Sequence, residues 1–353
     1  MTLNKVRIVG SGLIGTSIGL GLAAKGITVE MFDIDNRSQG LAQDLVGPTR
    51  AGTTDLVVLA APISALSSLL DEEFQLNSVS SFIDIGSVKT NPKLRVSSSK
   101  LPLNRFLPTH PMAGREIGGA ESARADLFQG RPWIVDSRGV DSDVLDHGRE
   151  LITLLGGHEI EMAAEEHDRA VALVSHLPQL ISSLMARQLQ DGEEKWLELA
   201  GAGLRDTVRI AGSDPLLWKE IITANSESLK TLLEKVKSDV GELIDSLDDS
   251  AAVEQFIAAG NAGRNRIPGK HGGVARKYTY LPIVIEDKPG QLSALFDECA
   301  SAKVNVEDLS IEHSPEQLTG LITLALSQGD ADVLEEHLRK KGWSVHAPRG
   351  ARL

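Results

Sequence analysis

The sequence has a single cysteine, few cations and no long apolar run. Cys299 is the only cysteine among 353 residues, which excludes an internal disulfide or a cysteine-based metal cluster and indicates a reducing compartment. Lysine and arginine total 36 against 49 aspartates and glutamates, and the net charge of −13 disfavours a broad basic surface for nucleic acid or anionic lipid. No stretch of about 18 apolar residues occurs, and no signal segment precedes Lys5. We therefore expect a cytoplasmic protein with neither a nucleic-acid nor a membrane partner.

Short apolar runs alternate with helical periodicity up to about residue 162. The runs are Val6 to Val9, Ile27 to Phe32, Leu56 to Ala60, Phe82 to Ile85, Phe106 to Leu107, Trp133 to Val135 and Glu159 to Met162. Such runs between helices indicate βαβ units and an α/β fold with a mostly parallel, doubly wound sheet of the Rossmann type. Little room for a full helix and strand remains between Asp33 and Asp55, so we expect one abbreviated unit there.

The rest of the chain divides into two further segments. Helical periodicity from about Glu165 to Ala259 predicts an all-helical domain, and a basic, glycine-rich linker follows. The last segment predicts the element order βαββαβ, which is typical of a ferredoxin-like unit. We predict a nucleotide-binding domain over residues 1–163, a helical substrate and dimerisation domain over 164–260, a linker over 261–277 and a small α/β domain over 278–353.

A dinucleotide-binding fingerprint follows the first apolar run. Gly10, Gly12 and Gly15 lie between that run and a helical pattern, where glycines permit a tight turn and close approach of a pyrophosphate to the helix N-terminus. Asp33, at the end of the next run, can accept hydrogen bonds from a ribose diol and would repel a 2′-phosphate, so NAD is favoured; nearby Arg37 keeps NADP open. The candidate cofactor-binding residues are Gly10, Gly12, Leu13, Ile14, Gly15, Asp33, Ala61 and Pro62.

Candidate catalytic residues follow two later strands. Ser87 and His110 come just after apolar runs, and the carboxyl ends of parallel strands face the cofactor crevice. A histidine there can accept a hydroxyl proton while hydride leaves the same carbon. Arg205 and Arg209, four residues apart and hence on one helix face, could hold carboxylates. Ser87 has the alternative role of capping a helix near Lys89.

The sequence resembles the prephenate/arogenate dehydrogenase family of tyrosine biosynthesis, in the form with a C-terminal ACT domain. The motifs are the fingerprint at Gly10 to Gly15, GSVK at Gly86 to Lys89, HPMAG at His110 to Gly114, HD at His167 and Asp168, SHLP at Ser175 to Pro178, RDTVRIAGSDPLLW at Arg205 to Trp218, and DKPGQL at Asp287 to Leu292.

The resemblance implies NAD-dependent oxidative decarboxylation of prephenate to 4-hydroxyphenylpyruvate by a homodimer joined through its helical domains. His110 would accept the proton of the ring hydroxyl, Ser87 would help to orient it, and Arg209 would bind a substrate carboxylate. The candidate substrate-binding residues are Arg209, Arg205, Glu116, His176, Gln179 and Arg115. His167 and Asp168 are expected to cap and pack their helix rather than take part in chemistry. No metal site is expected, because a spacing such as HExxH is absent.

Two positions depart from the family pattern. Gln179 stands where family members often have histidine after SHLP, and Arg115 where threonine is frequent. Arogenate, which yields tyrosine directly, therefore stays open as the alternative substrate. A β-hydroxyacid dehydrogenase and an NAD-binding sensor without turnover are disfavoured, because a GxxGxxxK run is missing and the predicted catalytic set is present.

The DKPGQL motif carries the prediction for the C-terminal segment. The resemblance implies an ACT domain that binds an aromatic amino acid effector, tyrosine or phenylalanine. The candidate effector-binding residues are Asp287, Pro289, Gly290, Gln291 and Leu292. A dimerisation module without a ligand is the alternative.

Overall fold

The computed structural model describes residues 3–115, 117–267, 278–312 and 318–350. The chain divides into two compact units, Met1–Asp239 and Val240–Leu353. Within the described ranges, every helix is too short or too polar to cross a membrane.

A seven-stranded sheet forms the centre of the first unit. Its strands are β1 (Lys5–Val9), β2 (Thr28–Phe32), β3 (Leu56–Leu59), β4 (Ser81–Asp84), β5 (Phe106–Pro111), β6 (Pro132–Val135) and β7 (His158–Glu161). They lie in the order β2-β1-β3-β4-β5-β6-β7, and β5 and β6 are the one antiparallel pair of this sheet as described. The predicted mostly parallel sheet is therefore confirmed.

Helices connect and follow the strands. They are α1 (Leu13–Ala23), α2 (Asn36–Val46), α3 (Leu66–Leu76), α4 (Thr90–Ser97), α5 (Ser142–Leu154), α6 (Ala164–Val171), α7 (Leu177–Gln188), α8 (Glu194–Leu197), α9 (Ala202–Val208), α10 (Pro215–Ala224), α11 (Ser226–Asp245) and α12 (Ser250–Arg264). A π-helical turn, Ala172–His176, joins α6 to α7. The predicted all-helical character after residue 164 is confirmed.

Alternate residues of the central strands supply two hydrophobic cores. Ile8, Val58 and Ile83 belong to the larger core on one face of the sheet. Val57 and Phe82 belong to a second core on the other face. Because both faces are covered, β3 and β4 are buried along their whole length, as is usual for parallel strands.

The segment between Asp33 and Asp55 is only partly as predicted. It contains a full helix of 11 residues, α2, so the expectation that too little room remained for one is wrong. The unit is abbreviated because no strand lies among the described residues between β2 and β3. The chain passes directly from α2 to β3 on the other side of β1, and β2 remains the edge of the sheet.

The second unit contains a small antiparallel sheet. After α12 its elements are β8 (Thr279–Glu286), α13 (Gln291–Ser301), β9 (Asp308–Glu312), β10 (Thr319–Leu326), α14 (Gln328–Lys340), β11 (Ser344–Val345) and β12 (Arg349–Gly350). The main sheet order is β11-β8-β10-β9, and β12 also pairs with β8. The predicted order βαββαβ is present, although β9 begins at Asp308 rather than at Val304.

Candidate active site

The glycine turn after β1 has a conformation that requires glycine. Gly10 has a φ of +114°, and its N–H donates to Phe32 O at 2.8 Å. A Cβ on Gly10 would lie 2.4 Å from Ala60 O, and a Cβ on Gly15 would lie 2.0 Å from Gly10 O. A Cβ on Gly12 would meet no atom within 4 Å. The turn is thus closed toward β3 and open beside Gly12, where a pyrophosphate could approach the N–H groups that begin α1.

Asp33 is tied directly to this turn. Its carboxylate accepts hydrogen bonds from Ser11 N at 2.7 Å and from Asp35 N at 2.9 Å. Each carboxylate oxygen retains a lone pair for a further donor such as a ribose hydroxyl. Ser11 Oγ is buried and has no hydrogen-bond partner among the described residues. These groups fit a dinucleotide.

The other predicted cofactor residues lie around the same turn. Leu13 and Ile14 begin α1, and Ala61 and Pro62 follow β3. The Ala61 N atom would lie 2.9 Å from a Cβ on Gly10, so the end of β3 is one wall of the turn.

His110 begins a chain of hydrogen bonds at the carboxyl end of β5. Its Nδ1 lies 2.9 Å from Nε2 of His167, and Nδ1 of His167 lies 2.8 Å from Oδ1 of Asp168. The two imidazole rings meet edge to face at an angle of 81°. His167 and Asp168 are almost completely buried, whereas His110 is partly exposed.

Asp168 has a second set of partners. Its carboxylate accepts hydrogen bonds from Lys89 N at 2.7 Å and from Thr90 N at 2.9 Å, the N–H groups of the N-cap residue and the first residue of α4. Burial alone would raise the pKa of the Asp168 carboxyl, but hydrogen bonds from His167 and from the start of α4 hold it below its ordinary value.

A buried ion pair lies next to this chain. The ammonium group of Lys89 contacts the Asp84 carboxylate and the carbonyl oxygen of Thr109, the residue before His110. The two charged side chains are 1% and 3% exposed. Burial lowers the pKa of Lys89 and raises that of Asp84, and their mutual contact opposes both shifts.

Burial lowers the pKa of His110 well below its ordinary value. A proton on His167 or His176 and the charge of Lys89 would lower it further, whereas the Asp168 carboxylate raises it. Burial also lowers the pKa of His176 to about 4. Both imidazoles are therefore neutral near pH 7, and a neutral imidazole can accept a proton.

Ser87 lies in the loop between β4 and α4 and is partly buried. The N-cap of α4 is Lys89, and Asp168 accepts the first N–H groups of this helix. The capping alternative for Ser87 is therefore wrong. The expectation that His167 and Asp168 cap their own helix is also wrong, because α6 begins at Ala164 and both residues lie inside it.

The side chain of Gln179 is hydrogen-bonded to the segment that begins at Arg209. Its buried side-chain amide donates to Ile210 O at 3.0 Å, and its oxygen is 3.4 Å from Ser213 Oγ. Helix α9 ends at Val208, and Arg209 begins a 3₁₀ turn, so Arg205 and Arg209 do not share one continuous helix as predicted. Both arginines are exposed.

The remaining predicted substrate residues are distributed differently. His176 is buried at the end of the π-helical turn, with Nδ1 3.2 Å from Asn225 Nδ2 and its ring edge-on to Trp218. Arg115 is exposed and donates to Ser122 O at 2.8 Å. Glu116 lies outside the described residues.

Sequence reasoning assigned no role to Lys89, Asp84 or Asn225. Asn225 links two of the histidine-bearing segments, because its amide donates to Asp168 O at 2.7 Å as well as approaching His176. A lysine five residues after an aspartate at the end of an apolar strand is a usable signal for the ion pair. Nothing in the sequence around Asn225 indicates its partners.

The glycine turn, the ribose-side carboxylate and a neutral histidine at the carboxyl edge of one parallel sheet define a nucleotide-dependent dehydrogenase. Two family models match the chain: the nucleotide-binding domain of prephenate dehydrogenase over residues 18–161 and the dimerization domain of prephenate dehydrogenase over residues 163–259. The chain belongs to the prephenate dehydrogenase family. Membership of the prephenate dehydrogenase family, NAD-dependent dehydrogenase activity on prephenate and the NAD cofactor are thereby confirmed, whereas the form with a C-terminal ACT domain stays a prediction.

Individual relatives agree with this assignment. The chain is 29% identical over 357 residues to NovF of Streptomyces niveus, named a probable prephenate dehydrogenase, with 96% of this chain and 99% of NovF covered. It is similar to the crystal structure of Aquifex aeolicus prephenate dehydrogenase with hydroxyphenyl propionate and NAD+, at a TM-score of 0.67, 25% identity and coverage of 76% of this chain and 99% of that one. Synechocystis arogenate dehydrogenase gives a TM-score of 0.63 and 25% identity, covering 74% of this chain and 99% of its own.

Proposed function

We propose that the chain oxidises and decarboxylates prephenate to 4-hydroxyphenylpyruvate in tyrosine biosynthesis, with His110 as the general base. This assignment of roles rests on one observation: the imidazole of His110 is neutral and partly exposed. It lies at the carboxyl end of β5, and the glycine turn follows β1 of the same sheet. When bound, NAD supplies the acceptor for the hydride. Gly10, Gly12 and Asp33 are the residues that would hold it.

The reaction requires one general base and a substrate that is correctly positioned. Nε2 of His110 accepts the proton of the ring hydroxyl as the carbon that bears it loses hydride, which leaves a ketone in the ring. The ring carboxylate then leaves as carbon dioxide, its bonding electron pair completes the aromatic ring, and the ring oxygen, now a phenolate, takes back a proton from Nε2 of His110. Ser87, on the loop after the neighbouring strand, orients the hydroxyl.

We assign the substrate carboxylates to the arginines of the helical segment. Arg209 is the main candidate, because the turn that it begins is fixed by the buried amide of Gln179. Arg205 and Arg115 are exposed cations that can contribute to the same anionic substrate in a protein of net charge −13. Glu116 and His176 remain proposed members of the substrate site.

The test of the base compares His110→Asn with His158→Asn, the same substitution at an exposed histidine on β7. NADH formation is followed by absorbance with prephenate as substrate. His110→Asn should lower kcat by about 10²-fold or more and leave the Kd for NAD nearly unchanged, because only the proton transfer is lost. A kcat within a few-fold of the wild-type value would remove His110 from the role of base.

The choice between prephenate and arogenate is tested in the same assay. We expect higher kcat/KM with prephenate, and higher kcat/KM with NAD than with NADP because of Asp33. A reversed substrate preference would assign the chain to the alternative, arogenate dehydrogenase, and would leave the cofactor assignment standing.

We further propose a homodimer joined through residues 164–260, with the predicted domains at 1–163, 164–260 and 278–353. Large apolar side chains are exposed along the helical segment in the single chain, including Leu199 at 82%, Leu216 at 72% and Val174 at 65%. Exposed apolar surface of this extent is typical of an interface. Sedimentation should give a dimer for the wild type and a monomer for Leu216→Asp, whereas Val333→Asp, an exposed position on α14, should stay dimeric.

The C-terminal unit is proposed as an ACT domain that binds tyrosine or phenylalanine. A cavity of about 250 Å³ there is lined by the predicted residues Asp287, Gly290 and Leu292 together with Ile311 and Ile322. Its rim includes the N-terminus of α13, where the N-cap residue Gly290 has a φ of +89°. The positive end of a helix dipole at such a position suits an amino-acid carboxylate. Pro289 and Gln291 shape the same turn.

Calorimetry on the full chain tests the effector. Tyrosine and phenylalanine are titrated separately into the wild type, into Leu292→Trp, which fills the cavity, and into Val333→Trp on α14 as the control. We expect binding to be lost in Leu292→Trp alone. Binding that survives in Leu292→Trp would place the amino acid elsewhere, and no binding to the wild type would leave the unit as a dimerisation element.

A further inference from the structure

The hydrogen-bond chain behind His110 determines which of its ring nitrogens carries the proton. Asp168 is held as a carboxylate by His167 and by the first two N–H groups of α4. A carboxylate only accepts hydrogen bonds, so Nδ1 of His167 must be the donor in the 2.8 Å contact. In a neutral imidazole the other nitrogen is then an acceptor, so Nε2 of His167 faces His110 with a lone pair.

The same argument applies to the ring of His110. Nδ1 of His110 lies 2.9 Å from that lone pair and must be the donor of this contact. Nε2 of His110 is then left with the lone pair, and this is the nitrogen that can take up the proton of a substrate hydroxyl. The tautomer of His110 is thus determined by its contact with His167, which lies 57 residues later in the sequence.

We propose that His167 and Asp168 are positioning residues for the oxidation: Asp168, through His167, holds His110 in the tautomer protonated at Nδ1, with Nε2 available as the base. This inference rests on the proposed function for its kinetic consequences. As Nε2 takes the proton, the positive charge on His110 is balanced through His167 by the Asp168 carboxylate. The arrangement extends by one ring the principle by which a buried carboxylate orients a catalytic histidine.

Asp168 also positions the loop that carries Ser87. By accepting the first N–H groups of α4, it fixes the end of the loop that carries Ser87. One carboxylate therefore sets the orientation of His110 and the position of the Ser87 loop. The groups that face His110 are His167 and Asp168 on α6, Lys89 at the start of α4 and His176 on the π-helical turn.

Asp168→Asn tests the control of the tautomer while it keeps part of the contact with α4. Oδ1 of Asp168 accepts from both His167 Nδ1 and Lys89 N, whereas Oδ2 accepts from Thr90 N. An amide nitrogen in the place of Oδ1 would donate to Nδ1 of His167 and lose the bond from Lys89 N, and the amide oxygen would keep the bond from Thr90 N. Both rings would then reverse their tautomers, and Nε2 of His110 would carry a proton. We expect kcat with prephenate and NAD to fall by about 10²-fold or more, and the Kd for NAD to change by less than about twofold.

Two companions make the experiment decisive. Asp249→Asn removes the same charge from the N-cap of α12, where Asp249 accepts from Ala251 N at 2.9 Å, and it should leave kcat unchanged. His167→Gln leaves Asp168 on α4 but breaks the link to His110, and it should lower kcat by a similar factor with the helix cap intact. Melting temperatures of all variants identify any loss of folding.

The tautomer is measured directly by ¹⁵N NMR of histidine-labelled protein, with the His110 signals assigned by their absence in His110→Gln. We expect protonation at Nδ1 in the wild type and at Nε2 in Asp168→Asn. A wild-type ring protonated at Nε2, or an Asp168→Asn or His167→Gln protein with kcat within threefold of wild type, would overturn the inference. If the wild type oxidised neither substrate, the proposed function would fail while the NMR result still decided the tautomer.

Discussion

Removing Lys89 tests the ion pair that lies directly behind His110. Its ammonium group contacts the Asp84 carboxylate and Thr109 O, and both charged side chains are almost fully buried. In Lys89→Met the Asp84 carboxylate would keep only the N–H groups of Gly86 at 3.1 Å and Thr109 at 3.3 Å. Leaving one buried charge without its partner costs about 3–5 kcal/mol.

Thermal unfolding of the full chain, followed by circular dichroism at pH 7, measures this cost. For a unit of this size each kcal/mol corresponds to roughly 2–4 °C, so the melting temperature should fall by about 6–20 °C. Lys237→Met removes one partner of an exposed pair with Glu234 and should change the melting temperature little. Asp84→Asn added to Lys89→Met should recover much of the loss, because a neutral amide replaces the isolated charge.

The same variant has a kinetic signature. The positive charge of Lys89 is one of the influences that lower the pKa of His110, after burial and His167. Its removal should raise that pKa, so the acidic limb of the kcat/KM profile should move to higher pH. A loss of stability below about 1 kcal/mol, or an acidic limb that does not move, would refute the reasoning that the pair is buried, charged and coupled to His110.

Four further substitutions give separate tests. Asp33→Asn should weaken NAD binding relative to NADP in fluorescence titrations, because it removes a negative charge from the ribose side; an unchanged ratio would place Asp33 away from the ribose. Arg209→Gln should raise KM for prephenate with a smaller effect on kcat, and an unchanged KM would make Arg209 a surface charge. Gln179→Leu should raise KM for prephenate and arogenate by the same factor, because it releases the turn at Ile210; a changed ratio would instead put Gln179 against the substrate side chain. His176 has a pKa of about 4, so the unfolded chain binds its proton first as pH falls through 6.5, and about 2 kcal/mol of stability should be lost by pH 5. Urea midpoints at pH 7 and pH 5 should show a smaller acid loss in His176→Gln, and equal losses would contradict the assignment.

The sheet of the first unit was predictable because its strands are short, apolar and separated by helical periodicity. The fingerprint was equally readable, since Gly10 and Gly15 have no room for a side chain and such a constraint is local. The antiparallel pairing of β5 with β6 was not predicted. Apolar runs mark strands without giving their direction, and direction depends on the path of the connecting chain.

The candidate site was predictable only in part, for a reason of distance along the chain. His110 and Ser87 were found because each follows a strand whose carboxyl end faces the crevice. His167 and Asp168 were expected to serve their own helix, yet their partners are His110 and the start of α4, more than 50 residues away. A motif of two residues shows which groups are available and does not show what they contact.

The contact between Asp168 and α4 forms late when the chain is made on the ribosome. The bonds from Lys89 N and Thr90 N to this carboxylate connect residues 79 and 78 positions apart, across the end of one predicted domain and the start of the next. The contacts that shape the dinucleotide turn come from Phe32, Ala60 and Ala61, all within the first 61 residues of the chain. The base and its neighbouring loop acquire their orientation only after α6 has emerged from the ribosome and docked. A chain truncated before α6 would keep the residues of the dinucleotide turn and lack the carboxylate that orients His110, so we expect such a chain to lose turnover.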